Sequence, residues 1–465
     1  MKLMKGAALV TAMGMLAACG SDSDSKGTEL TTYTFPSKLV EGESSVSYTG
    51  QTARHLLINE ISTFIKSDAF QNSADSATAL ANLNLIYATG VNPDAVSNLY
   101  DIDVYGGTGT TSTPVSISAP EGTDLTQENF RDVGDVAGSK NLKGKLAGQD
   151  NDLSQAFIGW DITLSGEQTD DDRPHLLLQE WFQILADNAG DGNADTTYVD
   201  TSIGVDYQQL VQKFLLGAVT YSQAADDYLK ASKGLAKNNI DEGGNYTSLE
   251  HQWDEGFGYF GAARDYLAYS DDVNKSNPAN DTNGDGEIDL LGGEYSFGHA
   301  INANKRDSGS NGVTDFSAQA MEAFIAGRQL IQKNIGSNPV EGQGYQAELV
   351  DHAKTALGAW EKAIAATVAH YVNDTIADLD NVGTDAQNLK DLAKHWSELK
   401  GFALSLQFSG VSIISRDDLI AIHNKIGEAP ELEIADIPTY VEGLKDILDI
   451  LQDAYDFDAD VVANW

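Results

Sequence analysis

Between residues 346 and 372 the side chains Val350, Ala353, Leu357, Trp360, Ile364, Val368 and Tyr371 return at steps of three and four. That period lines them along one side of an α-helix and leaves the other side polar. One such stripe needs partners to cover it, and the chain supplies several. Leu56, Leu57, Ile61 and Ile65 mark a helix over 51–66, and a second is predicted over 76–87. Pro174 suits the first turn of a helix running through Trp181 to about residue 186. Leu210, Phe214, Ala218, Tyr221, Ala225 and Tyr228 predict one long helix over 205–233. Thr247-x-x-Glu250 is a capping box that starts another. Thr384-x-x-Gln387 is expected to cap a helix reaching about residue 409, and Thr439-x-x-Glu442, after Pro438, to start the last. Residues 33–49 alternate and predict short extended pieces, whereas 101–121 are rich in Gly, Thr, Ser and Pro and predict loop. The expected fold is all-α: two helical bundles with long loops and minor β pieces near the N-terminus. The expected boundaries are 33–310 for an N-terminal bundle with irregular insertions and 311–465 for a C-terminal bundle.

The chain starts with Lys2 and Lys5, an apolar run from Ala7 to Leu16, and Leu16-Ala17-Ala18-Cys19. The run is shorter than the roughly 20 residues a membrane-spanning helix needs and fits the core of a secretory signal. Alanines ahead of a cysteine form a lipobox. Residues 1–18 therefore read as a lipoprotein signal peptide, with Cys19 as the lipidated first residue of the mature chain. Two or more acyl chains anchor stably where one does not. Residues 19–32 form a polar tether. Gly20, where an aspartate would signal inner-membrane retention, points to the outer membrane, most simply its periplasmic leaflet. Cys19 is the only cysteine, so an internal disulfide is excluded in the lipidated protein. Against 29 basic residues stand 70 acidic ones, for a net charge of -41. Nucleic acid is excluded as a partner because its phosphates would be repelled, and cations are favoured.

Two segments resemble each other: Trp253-Asp-Glu255-Gly-Phe-Gly258-Tyr259 and Trp396-Ser-Glu398-Leu-Lys-Gly401-Phe402. Both read W-x-E-x-x-G-aromatic, which suggests an internal duplication; chance likeness between amphipathic helices is the competing reading. Gly within a helix costs about 1 kcal/mol relative to Ala, and close helix approach is the expected return.

His395 and Glu398, three residues apart, fall on one helix face, as do His251 and Glu255 at a spacing of four. An imidazole and a carboxylate together suit iron or zinc; the alternative is a hydrogen bond inside a bundle. His55 and Glu60 are weaker candidates, and His175, His299, His352, His370 and His423 show no ligand spacing. Asp281-Thr-Asn283-Gly-Asp285-Gly-Glu287-Ile-Asp289 matches the first nine positions of an EF-hand-type Ca²⁺ loop. Asp281, Asn283 and Asp285 would donate side-chain oxygens, Glu287 its carbonyl, and Asp289 would act directly or through water. Position twelve is Gly292, so the usual bidentate carboxylate is missing, with Glu294 two residues beyond as its substitute. The competing reading is an acidic turn. No H-E-x-x-H, G-x-S-x-G, Walker or dinucleotide-binding pattern occurs.

Tyr48-Thr-Gly-Gln-Thr-Ala-Arg-His55, Trp253-Asp-Glu-Gly-Phe-Gly-Tyr259 and His395-Trp-Ser-Glu-Leu-Lys-Gly-Phe402 resemble the bacterial lipoprotein family called domain of unknown function 4856, over nearly the whole mature chain. That resemblance implies architecture more than activity. The design is also similar to imelysin-like proteins, exported two-bundle proteins associated with iron uptake, whose G-x-H-x-x-E motif is matched here only by His395 and Glu398, with Ala393 in the glycine position. The expected function is a non-enzymatic, outer-membrane-anchored protein binding iron or another metal ion or small ligand, beside other iron-uptake envelope proteins. The alternatives are a metal-dependent peptidase and a structural envelope lipoprotein. The structural reading requires Glu255 and Glu398 to be fully paired inside the protein with no cavity beside them.

Overall fold

The computed structural model describes residues 31–90, 140–189, 197–279, 281–283, 288–290 and 292–465. Its helices, in chain order, are α1 (Thr49–Lys66), α2 (Ser76–Thr89), α3 (Arg173–Asn188), α4 (Tyr207–Leu215), α5 (Ser248–Phe260), α6 (Gly298–Gly309), α7 (Phe316–Lys333), α8 (Gly344–Leu379), α9 (Leu389–Ser405), α10 (Arg416–Ile426) and α11 (Ile437–Tyr455), with short helical turns between them. The all-α expectation holds. The one sheet among the described residues is a hairpin pairing β1 (Val199–Asp200) with β2 (Val205–Asp206). The extended pieces expected near the N-terminus reduce there to a single bridge between Pro36 and Ser44. The expected signal, residues 19–30 of the expected tether and the expected 101–121 loop lie outside the described residues.

The leading stripe of the sequence becomes α8, 36 residues long and so roughly 54 Å at 1.5 Å per residue. It packs against α6, α7, α9 and α11. Trp360, Ile364 and Val368 are fully buried along it, each such side chain contributing about 1.5–3 kcal/mol. α4 lies on α1 and α9, and α5 lies on α1 and α7. Helices from either side of residue 310 therefore interleave, and Thr31–Trp465 form one compact unit. The expected boundary at 310/311 does not divide it.

The repeated glycines sit where helices approach closely. A Cβ on Gly258 would lie 2.7 Å from Tyr48 Cβ, and one on Gly401 would lie 2.5 Å from Lys213 Cβ. Neither position admits even an alanine without movement, which explains glycine inside α5 and α9. The two tryptophans are also anchored: Trp253 donates to Phe324 O and Trp396 to Tyr440 Oη, both at 2.9 Å.

Three helix details differ from the sequence reading. The helix over 205–233 is α-helical only to Leu215 and continues as π-helical turns over Leu216–Tyr221 and Ala224–Tyr228. Thr220 Oγ1 donates to Leu216 O at 2.5 Å, a back-bond that accompanies the widened turn. Asn388, not Thr384, caps α9, its Oδ1 accepting from Lys390 N and Asp391 N. Thr439 lies inside α11, which begins at Ile437 with Pro in its first turn. The Thr247–Glu250 capping box is present as expected.

Two buried polar centres lock the helices. Arg328 on α7 is fully buried and meets Glu250 Oε1 at 2.6 Å and Asp254 Oδ1 at 2.8 Å, both on α5. Tyr33 Oη donates to the same Asp254 oxygen at 2.7 Å, and Ser47 N to the other at 3.1 Å. Burial raises the Asp254 carboxyl despite Arg328, whereas the two carboxylates raise Arg328 against its own desolvation. On α8, the buried Glu361 accepts from Tyr221 Oη, Tyr455 Oη, Ile413 N and Ile414 N at 2.8–3.2 Å.

Candidate functional site

The start of α1 and the outer face of α5 enclose a cavity of about 310 Å³ with Tyr228 and Lys145 on its wall. The capping box fixes where α5 begins, and the four-residue spacing then places His251 and Glu255 side by side. His251 Nε2 lies 3.8 Å from Glu255 Oε1. His251 Nδ1 lies 3.0 Å from the Ser47 carbonyl, which only accepts, so this nitrogen carries the ring proton and donates. In the neutral ring the lone pair is then on Nε2, on the side of the carboxylate. Tyr246 stacks on the imidazole at 4.8 Å between centroids. Glu255 is oriented by two amides: Gln51 Nε2 donates to Oε1 at 3.0 Å and Gln252 Nε2 to Oε2 at 3.1 Å.

A bonded metal sits about 2.0–2.2 Å from imidazole nitrogen and carboxylate oxygen, so a gap of 3.8 Å is a span one ion can bridge. The backbone carbonyl on Nδ1 is the kind of outer partner that orients a ligating histidine. Two protein ligands leave most of a coordination sphere open. Arg54, Lys140 and Lys145 line the same cavity. Arg54 is committed to the carbonyls of Gly50 and Asn141 at 3.1 and 3.0 Å. Lys145 pairs with Asp150 at 2.8 Å and lies over the Tyr228 ring. The Tyr259 hydroxyl is buried with no hydrogen-bond partner among the described residues, and burial raises it.

The profile of the family described as Domain of unknown function (DUF4856) matches residues 183–417. The chain belongs to this family. Neither a curated protein nor a solved structure matches it. The DUF4856 segment contains His251, Glu255, His395 and Glu398, but the Tyr48–His55 phrase lies ahead of it. In space that phrase is not remote: His55 Nε2 donates to Gly258 O at 3.1 Å, and burial pushes its pKa down to about 4. His55 therefore serves as a neutral core residue joining α1 to α5.

Each member of the second pair in the DUF4856 segment meets a partner on another helix. His395 Nδ1 bonds Asp378 Oδ2 at 2.7 Å, and that bond raises the imidazole's pKa. Glu398 Oε1 faces Lys213 Nζ at 3.3 Å. Burial, then the Glu398 charge and a hydrogen bond to that carboxylate, raise the Tyr371 hydroxyl. The ammonium on Glu398 competes with a metal for its carboxylate, and the pair lacks the shared cavity that His251 and Glu255 line.

Of the Ca²⁺ loop, Asp285 and Glu287 lie outside the described residues. Asp281, Asn283 and Asp289 are placed. Glu294 reaches back into the loop: its Oε1 accepts from Thr282 N and Asn283 N at 3.2 and 3.3 Å, and its Oε2 from Asp289 N at 2.8 Å. It thus ties residues 282–283 to Asp289.

Sequence spacing did not disclose one acidic group. Asp271, Asp307 and Asp315 bring carboxylate oxygens within 4.8 Å of one another. Their hydrogen bonds serve the start of α7: Asp307 accepts from Phe316 N and Ser317 N, Asp315 from Ala318 N, and Asp271 from Ser317 Oγ. The cluster is accounted for as helix capping. Arg54, Lys140, Lys145 and Tyr228 were also missed around His251, because they converge from three distant stretches with no common spacing.

Proposed function

We propose that this chain is a lipid-anchored envelope protein that binds a metal, with iron the first ion to test, at His251 and Glu255. The observation that carries the reading is the oriented pair: Nε2 and Oε1 are 3.8 Å apart, with Nδ1 held by the Ser47 carbonyl. The cationic neighbours suggest the form of the ligand. Lys140 and Lys145 would repel a bare cation but attract one carried in an anionic carboxylate chelate, whose oxygens fill the open coordination positions. Glu255 lies beside a cavity, which supports binding over the purely structural reading. Anchoring through Cys19 to the outer membrane would keep such a protein beside envelope partners that pass the metal on.

The test is titration of the full chain, purified without chelator, with ferric citrate and with Zn²⁺. His251→Ala and Glu255→Gln are expected to weaken binding by about tenfold or more, as loss of a ligand or its support does, while His395→Ala leaves it unchanged. Absence of binding, or binding indifferent to His251→Ala, removes the reading.

A further inference from the structure

Far along the chain from the His251 cavity, a larger cavity of about 510 Å³ opens between the end of α10, the 158–161 loop and α9. That is within the usual range for small-molecule sites, roughly 300–1,000 Å³. Its lining includes Lys400, His423, Trp160 and Gly427, with Glu428 and Asp161 exposed at the mouth. Lys400 has no solvent exposure. Its Nζ donates to the Gly427 carbonyl and lies 5.6 Å from the Trp160 ring centroid, and among the described residues no carboxylate forms an ion pair with it. His423, 5 % exposed, has no hydrogen-bond partner at either ring nitrogen among the described residues. Gly159 packs against that ring so closely that a Cβ would lie 2.6 Å from Nδ1.

A buried amine held by one neutral carbonyl, beside an unpartnered imidazole and an aromatic wall, is the setting in which lysine acts as a nucleophile. We propose that this cavity is a second site, which takes an uncharged aldehyde or ketone and joins it to Lys400 as an imine. The Nζ lone pair attacks the carbonyl carbon, forming the C–N bond, and a proton passes from nitrogen to oxygen to give the carbinolamine. The C–O bond then breaks, water leaves, and hydrolysis runs the sequence backwards. His423 is the group placed to carry the proton. Glu428 and Asp161 disfavour an anionic ligand at the mouth, so neutral carbonyl compounds fit better than carboxylates or phosphates. Burial supports the assignment by pushing the Lys400 pKa down to about 7 and holding the His423 imidazole well below its usual value. Lys400 and Glu398 point to different sides of α9, as residues two apart on a helix do, so the site is separate from the Lys213–Glu398 pair.

The experiment treats the full chain with 4-hydroxybenzaldehyde or propanal and cyanoborohydride, then maps modified lysines by peptide mass spectrometry. Initial labelling at Lys400 is expected to exceed that at the exposed Lys237 and Lys354 by about tenfold or more. Labelling of Lys400 level with those lysines, or slower, overturns the proposal. His423→Ala is expected to slow Lys400 labelling by about tenfold without moving the other lysines. An unchanged rate removes the imidazole from the mechanism. If that variant does not fold, His423→Gln serves the same comparison.

Discussion

Asp206 shows how burial and local charge set the behaviour of one residue. It caps α4 through Gln209 N at 3.1 Å and is 5 % exposed. Burial first, and then the Glu398 charge, push its pKa up to about 6. A carboxyl raised in the folded state holds its proton more tightly there than in the unfolded chain. Its stabilising contribution is full below about pH 4 and is lost as pH rises through about 6. Asp206→Asn keeps a capping oxygen and removes the charge. It is expected to raise stability at pH 8 by up to about 3 kcal/mol and to change little at pH 4, as read by denaturant titration at both pH values. Arg328 makes the opposite case. Replacing it with Met leaves Glu250 and Asp254 buried without their cation, and a loss of about 3–5 kcal/mol is expected in the same assay. A loss below about 1 kcal/mol would place this network outside the determinants of stability. None of these partners was legible in the sequence, because Asp254 and Arg328 are 74 positions apart and a lone arginine on an amphipathic helix reads as surface.

At the scale of elements, period and caps were legible where they depend on neighbours in sequence. The α8 stripe and the Thr247 box needed only local information and emerged as read. The π-helical turns after Leu215 did not, since their apolar residues fit a 3.6 period equally well; packing of Gly217 against Ser405 and the Thr220 back-bond decide the local winding. The displaced cap of α9 has a similar cause. Gln387 Oε1 accepts from Gly383 N, closing a turn ahead of the helix instead of boxing its start. The candidate site was half legible. His251 and Glu255 share one helix, so spacing found them, whereas His395 and Glu398 share a face yet are drawn to Asp378 and Lys213 on other helices. The loop tied by Glu294 gives a test at this scale. Millimolar Ca²⁺ is expected to raise Tm and Asp285→Ala to abolish the rise; a Tm indifferent to both Ca²⁺ and EDTA rules out the loop as a Ca²⁺ site.

For the whole molecule, the expectation of two separable bundles gave way to one compact unit because α4 and α5 find their apolar partners in α9 and α7. Hydrophobic stripes specify that a helix must be covered, not which helix covers it. The acidic composition and the proposed Cys19 anchor belong to the same scale. Cys19→Ser is expected to abolish incorporation of labelled palmitate and release the protein from the membrane fraction; palmitate retained by the variant would refute the lipobox reading. The central claim is that an ion bridges His251 and Glu255, and X-ray absorption on the iron- or zinc-loaded full chain tests it most directly. The account predicts a first coordination shell with one imidazole nitrogen among oxygens, the nitrogen contribution vanishing in His251→Ala and persisting in His395→Ala. A shell that keeps its imidazole in His251→Ala, or loses it in His395→Ala, would contradict it.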